Sequence, residues 1–349
     1  MKAINILEGR QAGIVEIPKP KLRDDYILVK INAVGLNSTD VKHIDWENGG
    51  DIGSKPGCDY CGIVEEIGPK VTKPFRIGDR ITGFVHGSNR TNKEDGAFSE
   101  WAVVKGDIQI KVPDRISNEE AATLGAAIST VGQGLYKSLR LPRPNNPANS
   151  PFPVLIYGGS TTVGIYGIQF AKLSGLTVIT TASPHNFDFL RSLGADAVFD
   201  YRSPTCVEDI KKLAPNLEYA WDTIGDAESC ELCAKALDSE WGDYGALQPV
   251  AAEVLHAANP NARGPFFTTA FIVCGETYEK YNHVWERSKD EFEFAKMFWD
   301  LTCELLAEER LKPTRISVNK HGSGLEGVLA GLEDIRANKV SGQKLIYTL

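Results

Sequence analysis

The chain has 349 residues, of which 42% are hydrophobic, so it is too long for one ordinary core and suits two domains of usual size. A formal net charge of −8 argues against nucleic acid or an anionic membrane as the main partner, which leaves a small molecule as the default. The N-terminus lacks the apolar core and cleavage site of a signal peptide, and no run approaches the roughly 20 apolar residues of a membrane span. We therefore expect a cytosolic monomer.

The first part of the chain is rich in short apolar runs bounded by Gly, Pro and Asp, which predict strands separated by turns. The runs are "YILVKINAVGLN", "CGIVEEIG", "RIGDRITGFV", "AFSEWAVV" and "IQIKVP", and they favour a small barrel or sandwich. A helical stretch follows, in which Ser117 is the predicted N-cap and Glu120 completes a capping box. Five prolines in "RLPRPNNPANSPFP" then predict a stiff surface connector.

From Val154 the pattern changes to strands and helices in alternation. The predicted strands are "VLIYG", "TVITTA", "AVFDY", "LEYAWDTI", "GALQPV" and "FFTTAFIV", with helical segments between them. The second of these helices, "PHNFDFLRSLG", has Ser183 as its predicted N-cap. This alternation predicts a doubly wound parallel sheet with ligands at the carboxyl ends of its strands. A long helix from Ser288 to Glu308, the helix "LEGVLAGLEDIRAN" and the strand "KLIYTL" come last.

One turn, in "VLIYGGSTTVGIYGIQFAKLSG", joins a buried strand to a helix through small residues. In the dinucleotide fingerprint G-x-G-x-x-G, Gly159 and Gly164 are in place, but Thr161 stands at the middle glycine. A side chain there keeps the backbone further from a ligand, while the hydroxyls of Ser160, Thr161 and Thr162 offer donors in exchange. The alternative is an ordinary tight strand–helix turn, but the sustained alternation favours a pyrophosphate bound at the helix N-terminus. The predicted cofactor turn comprises Gly158, Gly159, Ser160, Thr161, Thr162, Val163 and Gly164.

The end of the second predicted strand bears on the choice of nucleotide. An NAD site usually has Asp or Glu there to accept from the ribose hydroxyls, whereas this strand ends in "TTASPHN", without an acid. Donors and a cation with no competing carboxylate favour the 2′-phosphate of NADPH. The residues that we expect to bind this phosphate are Ser183, His185, Asn186, Tyr201 and Arg202. Ser183 serves as a helix cap in any case, which does not exclude this role.

Two cysteine pairs, Cys58 with Cys61 and Cys230 with Cys233, have the spacing of a four-thiolate zinc site. The first pair lies where a turn enters a strand and the second lies on a predicted helix, and glycine-rich knuckles are missing. Buried thiols that pack as small hydrophobic side chains are therefore the favoured interpretation.

The chain as a whole resembles the medium-chain dehydrogenase/reductase superfamily. The motifs follow one another along nearly all of the sequence: "GLNSTD", "PGCDYCG", "RIGDRITG", "GAFSEWAVV", "AAISTVGQGL", "VLIYGGSTTVG" and "LRSLGADAVFDY". The resemblance implies an α/β fold, with a GroES-like β-barrel catalytic domain at residues 1–150 and 305–349 and a Rossmann cofactor domain at residues 151–304. Within the superfamily, "YGGST", "ASPHNFD", "FDYR" and "SGQKLI" resemble the fungal trans-acting enoyl reductases that serve iterative polyketide synthases. This narrower resemblance implies that Lys344 also contacts the cofactor.

Zinc-dependent members of the superfamily hold a catalytic metal with Cys, His and Glu. The matching positions here are Asn37, Cys58 and Asp59. Zinc needs thiolate and neutral nitrogen ligands at these positions, and these three residues offer only one suitable ligand type. The four closely spaced cysteines of the structural zinc lobe are also missing. We therefore expect no metal in either site.

A metal-free site constrains the chemistry. Reduction of a simple ketone builds charge on one oxygen, which zinc stabilises, whereas hydride addition to an α,β-unsaturated carbonyl spreads the charge into an enolate that hydrogen-bond donors can stabilise. The candidate donors, on segments that border the nicotinamide in this superfamily, are Lys42, Asn37, Tyr60, Ser129 and Thr130. Lys42 is the preferred polar contact or proton source, although it could be a solvated surface lysine. Asn37 and Tyr60 could equally serve turn geometry and core packing.

The resulting hypothesis is an NADPH-dependent, metal-free enoyl reductase that acts on an acyl thioester carried by a polyketide synthase. Two alternatives stay open: a quinone or free-enone reductase, and a nucleotide-binding regulatory protein without catalysis.

Overall fold

The computed structural model describes residues 1–46, 49–267 and 269–349. These residues form two compact units, the first made of Met1–Ser129 with Phe271–Leu349 and the second of Thr130–Ala270. The sequence predicts domain boundaries at 150/151 and 304/305, whereas the compact units divide the chain earlier, after Ser129 and after Ala270. Those domain limits remain a prediction.

The structure contains the following strands and helices, numbered in chain order. The strands are β1 (Lys2–Leu7), β2 (Gln11–Glu16), β3 (Tyr26–Gly35), β4 (Asp59–Ile67), β5 (Arg80–Phe84), β6 (Trp101–Lys105), β7 (Gln109–Lys111), β8 (Pro153–Tyr157), β9 (Thr177–Thr181), β10 (Ala197–Phe199), β11 (Tyr219–Asp222), β12 (Gly242–Ala246), β13 (Ala262–Phe267), β14 (Tyr278–Lys280), β15 (His283–Trp285), β16 (Ile316–Val318) and β17 (Lys344–Thr348). The helices are α1 (Ser38–Asp45), α2 (Asn118–Ala121), α3 (Gly125–Val131), α4 (Thr162–Leu173), α5 (Phe187–Ser192), α6 (Cys206–Leu213), α7 (Ala227–Ala236), α8 (Ala252–Ala258), α9 (Lys289–Ala307) and α10 (Gly324–Arg336).

The first unit is built around a sheet in the order β16-β17-β3-β4-β5-β7, with β6 also paired to β3. Pairing is antiparallel except between β16 and β17. The near-continuous apolar run of β3 fits its position between these partners, and Ile27, Val29 and Ile31 join the core. The five strands predicted in this region correspond to β3 to β7.

The predicted helical stretch after β7 is interrupted. Its capping box is confirmed, because Ser117 Oγ accepts from Glu120 N at 3.1 Å and Ser117 N donates to the Glu120 carboxylate at 2.9 Å. The stretch then divides into α2, α3 and a π-helix at Gly132–Ser138. Gly125, where α3 begins, packs so closely against β4 that a Cβ would lie 2.4 Å from Asp59 Oδ1. This close tertiary approach is not visible in the local pattern.

The second unit contains a parallel sheet in the order β10-β9-β8-β11-β12-β13. The predicted doubly wound sheet is confirmed. The chain runs outward from β8 in one direction through β9 and resumes on its other side at β11. Ligands of such sheets bind outside the carboxyl ends of the strands at this switch point.

Two strand predictions in the second unit shift. β12 ends before most of "GALQPV", where Pro249 cannot donate to a strand ladder. β13 covers only the start of "FFTTAFIV"; Thr268 lies outside the described residues, and Ala270–Cys274 form a 3₁₀ turn.

The end of the chain returns to the first unit. The predicted long helix is confirmed as α9, with Ser288 Oγ accepting from Glu291 N at 3.2 Å, and the last helix and strand are α10 and β17. The hairpin of β14 and β15 has no sequence prediction. Its tip, Tyr281 and Asn282, lies in the left-handed region at φ 57° and 56° without a glycine to signal the turn. Among the described residues, no helix combines the length and apolarity that crossing a membrane requires.

Candidate functional site

The glycine turn after β8 has little room for side chains. Gly158 has φ +79°, which L side chains rarely adopt. A Cβ on Gly159 would lie 2.1 Å from Thr180 Oγ1, and one on Gly164 would lie 2.4 Å from the Gly158 carbonyl oxygen. The turn therefore brings the start of α4 directly against the end of β8, which is the arrangement of a dinucleotide turn.

Thr161 caps α4 with its own side chain. Its Oγ1 accepts from Gly164 N at 2.9 Å and lies 2.9 Å from Thr223 Oγ1, so this hydroxyl is used within the protein. The sequence predicts that Thr161 offers its hydroxyl to a ligand, but the structure shows this hydroxyl hydrogen-bonded to Gly164 and Thr223 instead. In the part of the chain that the structure describes, the hydroxyls of Ser160 and Thr162 make no side-chain hydrogen bond.

The first backbone N–H groups of α4 fit a pyrophosphate. Helix-start amides have no intrahelical acceptor, and the dipole of a helix of this length favours negative charge there. Because Thr161 already satisfies Gly164 N, the N–H groups of Thr162 and Val163 are the donors that remain for a ligand. These residues fit the pyrophosphate of a dinucleotide.

The end of β9 differs from its prediction. Ser183 precedes a short 3₁₀ turn, Pro184–Asn186, and its hydroxyl makes no capping hydrogen bond, while α5 begins only at Phe187. The predicted N-cap position of Ser183, with Pro184 directly after it, is confirmed for the 3₁₀ turn, whereas the α-helix expected from Pro184 begins only at Phe187. Asn186 Nδ2 lies 3.2 Å from His185 Nε2, which brings two of the predicted phosphate contacts together.

Arg202 has a carboxylate partner, contrary to the expectation of a cation without one. Its Nε and Nη2 donate to the two oxygens of Asp200 at 3.0 and 3.2 Å. These hydrogen bonds raise the pKa of Arg202 and lower that of Asp200. Tyr201 is exposed beside the guanidinium, whose centre lies 5.5 Å from the ring. A 2′-phosphate at this position has to compete with Asp200 for Arg202.

In the first unit, Asn37, Asp59 and Lys344 form a buried polar cluster. Lys344 Nζ lies 2.6 Å from both Asp59 Oδ2 and Asn37 Oδ1, and Asn37 Nδ2 donates to Asp59 Oδ2 at 3.0 Å. The ion pair is almost fully buried, with side-chain exposures of 1% and 0%. Asp59 Oδ1 also accepts from Ala126 N at the start of α3. Lys344, predicted as a cofactor contact, is thus committed to a buried carboxylate.

The same cluster does not fit a zinc ion. An ammonium group lies between Asn37 and Asp59, two of the three positions matched to metal ligands, and it would repel a cation. Burial raises the pKa of the third, the Cys58 thiol, well above its usual range, which opposes the thiolate that zinc requires. Among the described residues, no group of three or more His, Cys, Asp or Glu side chains is arranged to hold a metal.

The helix that follows Asn37 carries Lys42. Asn37 is the N-cap of α1, and the Asp40 carboxylate accepts from Asn37 N at 2.7 Å in a capping box. Burial raises the pKa of Asp40 to about 7. Lys42 is half-buried, with Nζ 5.3 Å from the centre of the Trp46 ring. Lys42 is therefore held near the protein surface on a helix whose start is fixed by the polar cluster.

The other predicted donors are dispersed. Tyr60 is fully buried and donates to Gln109 Oε1 at 2.7 Å, as expected for core packing. Ser129 is buried, and its Oγ accepts from Trp299 Nε1 at 3.3 Å. Thr130 is half-buried and is the first residue of the second unit. The structure thus brings Asn37 and Lys344 together and leaves Tyr60 and Ser129 with internal partners.

Sequence reasoning missed a buried group around Lys280. The Lys280 side-chain nitrogen is in hydrogen-bond contact with His43 Nε2 and lies 4.0 Å from the centre of the Phe271 ring. The ring of His86 packs on Phe271 with centroids 4.5 Å apart. Burial, together with the Lys280 charge, lowers the pKa of both histidines well below the usual range. His43 and His86 are visible in the sequence, but their partner is on an unpredicted hairpin 237 residues from His43.

Both cysteine pairs are buried, as predicted. Cys58 and Cys61 lie in the first unit, and Cys230 and Cys233 lie on α7 of the second. Burial raises the pKa of all four thiols.

Comparison with protein families matches both units. Residues 23–114 match the alcohol dehydrogenase GroES-like domain, and residues 162–246 match the zinc-binding dehydrogenase domain. The predicted fold class, a GroES-like domain with a Rossmann domain, is confirmed.

Several curated relatives cover nearly the whole chain. The trans-enoyl reductase resD of Aspergillus sclerotiorum is 41% identical, over 99% of this chain and 98% of its own. The trans-enoyl reductase ACTTS2 of Alternaria alternata is 39% identical over 100% and 98%. The trans-enoyl reductase TOXD of Cochliobolus carbonum is 49% identical over 74% and 85%.

Solved structures of the same fold are more distant in sequence. The CurK enoyl reductase has a TM-score of 0.75 at 16% identity, covering 99% of this chain and 98% of its own. The quinone oxidoreductase of Coxiella burnetii has a TM-score of 0.73 at 23% identity, covering 100% and 99%.

Proposed function

Because the chain belongs to the trans-enoyl reductase family of the medium-chain dehydrogenase/reductase superfamily, we propose that it uses NADPH to reduce the α,β-double bond of an acyl thioester. The acyl chain is carried by a polyketide synthase that this protein serves in trans. A cytosolic location and a monomeric state belong to the same proposal.

The observation that carries the proposed chemistry is the buried contact of Lys344 with Asn37 and Asp59. A protein that polarises a simple carbonyl with zinc needs anionic ligands at the positions of Asn37 and Asp59. Here the Asp59 carboxylate is already neutralised by the ammonium group of Lys344. Conjugate reduction spreads its negative charge over an enolate, for which positioned hydrogen-bond donors suffice. The donor set therefore favours enoyl over carbonyl reduction.

The residues of α4 hold the cofactor in this proposal. The N–H groups of Thr162 and Val163 bind the pyrophosphate, and Gly158 and Gly159 keep the turn narrow enough for it. Bound NADPH supplies a hydride for the β-carbon of the substrate. Lys42 contacts the enolate and donates a proton to its α-carbon, after which the lysine is reprotonated from solvent.

The preference for NADPH rests on the residues that follow β9 and β10. Ser183, His185 and Asn186 offer polar groups with no carboxylate among them, and Tyr201 and Arg202 follow the next strand. Arg202 would pair with the 2′-phosphate of the cofactor through charge-assisted hydrogen bonds, in place of part of its contact with Asp200.

Substrate choice tests the proposal against its two alternatives. We expect the purified protein to oxidise NADPH rapidly with crotonyl-pantetheine, a short enoyl thioester, and slowly with 1,4-benzoquinone, measured by the loss of absorbance of the reduced nicotinamide. Faster oxidation with the quinone would make the protein a quinone reductase. NADPH binding without turnover of either compound would indicate a regulatory protein.

A further inference from the structure

Thr161 poses a structural problem in the cofactor turn, because it stands where the fingerprint has a glycine. As the N-cap of α4 it has extended backbone angles, φ −70° and ψ 155°. Its side chain is turned back towards the first turn of its own helix, where Oγ1 accepts from Gly164 N. A neighbouring group must hold the Thr161 side chain in that rotamer if the N–H groups of Thr162 and Val163 are to remain open to a ligand.

Thr223, at the end of the strand that neighbours β8 in the sheet, holds the Thr161 side chain in this rotamer. It follows β11, which pairs with β8 in parallel, and its N–H donates to the Tyr157 carbonyl at 3.1 Å. Its hydroxyl lies 2.8 Å from the Tyr157 carbonyl oxygen, 3.1 Å from that of Gly158 and 2.9 Å from Thr161 Oγ1. Thr223 thus contacts the end of β8, the glycine turn and the cap of α4 together.

The hydrogen-bond directions follow from counting protons. A hydroxyl has one proton, and the carbonyls of Tyr157 and Gly158 can only accept, so the Thr223 proton is donated to one of them. Thr161 must then donate to Thr223 Oγ1, while its own oxygen accepts from Gly164 N. The result is a directed chain from α4 through both hydroxyls to the end of β8.

The tight packing of the turn depends on the same hydroxyl. A Cβ on Gly158 would lie 2.6 Å from Thr223 Oγ1, so the glycine and the threonine are fitted to each other. Thr223 is only 8% exposed, so a hydroxyl left without its partner there would not be compensated by bulk water.

We propose that Thr223 is a positioning residue for the nicotinamide cofactor, which fixes the Thr161 cap and thereby keeps the N–H groups of Thr162 and Val163 directed at the pyrophosphate. This inference rests on the proposed function, since it needs a cofactor at α4. In this proposal Thr223 acts through its hydrogen bond with Thr161.

The test is NADPH affinity in Thr223→Val, which keeps the shape of the side chain and removes its hydroxyl, and in Thr223→Ser, which keeps the hydroxyl. Thr302→Val is the matched control, because the buried Thr302 hydroxyl donates to the Phe298 carbonyl at 2.8 Å within α9 of the first unit. We expect the Kd from a fluorescence titration to rise at least tenfold in T223V and to stay within about threefold of wild type in T223S and T302V. The melting temperatures of the cofactor-free T223V and T302V proteins should fall by similar amounts.

Two outcomes would overturn the inference alone. One is T223V that melts earlier but binds NADPH as tightly as wild type, which would make the hydroxyl a fold contact only. The other is T223S that binds as weakly as T223V, which would show that the hydroxyl alone does not keep the helix start in place. A wild-type protein that does not bind NADPH would instead overturn the proposed function and the inference with it.

Discussion

Replacement of Lys280 by methionine should stabilise the protein at neutral pH. The lysine is 4% exposed, its nitrogen contacts His43 and the Phe271 ring, and no carboxylate of the described residues forms an ion pair with it. Burial lowers its pKa from 10.5 to about 7, and the repulsion from Lys42 adds to this effect, while Cys58 and Asp40 oppose it. Methionine fills a similar volume without a charge to desolvate.

The size and sign of the effect follow from proton linkage. Between pH 7 and 10.5 the unfolded chain binds a proton at Lys280 that the folded chain does not, so the stability of the wild type rises with pH across this window. A difference of that size between the folded and unfolded pKa corresponds to at most about 4 kcal/mol at pH 7 and about 1 kcal/mol at pH 9.5. The stability gained by K280M should therefore shrink by about 3 kcal/mol between these two pH values.

Calorimetric melting of both proteins across pH 7 to 9.5 measures this change. The melting temperature of K280M should exceed that of wild type by several degrees at pH 7, and roughly two-thirds of the difference should disappear by pH 9.5. Lys289→Met, which removes an exposed ammonium group at the start of α9, serves as the control and should show no such trend. A K280M advantage that stays constant over the pH range would refute the assignment of a neutral, buried lysine.

Two further predictions concern the cofactor and the reaction. NADPH should bind at least tenfold more tightly than NADH in a fluorescence titration, a difference of roughly 1.4 kcal/mol in binding free energy. Arg202→Ala should reduce this preference, and Asp200→Asn should increase it. Equal affinities for the two cofactors would contradict a 2′-phosphate site. Lys42→Ala should reduce turnover of an enoyl thioester at least about a hundredfold without changing NADPH affinity or melting temperature. A mutant with nearly native turnover would show that Lys42 is a bystander.

Local sequence patterns predicted the elements that depend on local physics. The Ser117 and Glu120 capping box, the α9 helix that starts after Ser288 and the strand–turn–helix at Gly159 all arise from residues a few positions apart. Helix capping and tight turns depend on residues that are close in the chain, so the sequence alone is enough to predict them.

The sequence could not predict contacts that depend on distant partners. Lys344 pairs with Asp59 and Lys280 with His43 only because the end of the chain returns to the first unit. Asp200 is a different case, since it lies two residues from Arg202 and its pairing could have been anticipated from spacing alone.

The position of the transferred hydride tests enoyl reduction most directly. The protein is incubated with crotonyl-pantetheine and NADPH that carries deuterium at the transferred position, and the product is analysed by mass spectrometry. The proposed function predicts a saturated thioester with one deuterium on the β-carbon, and a second run in D₂O with unlabelled NADPH should place deuterium on the α-carbon instead. An intact double bond, or a label on an aldehyde or alcohol carbon formed from the thioester carbonyl, would contradict it.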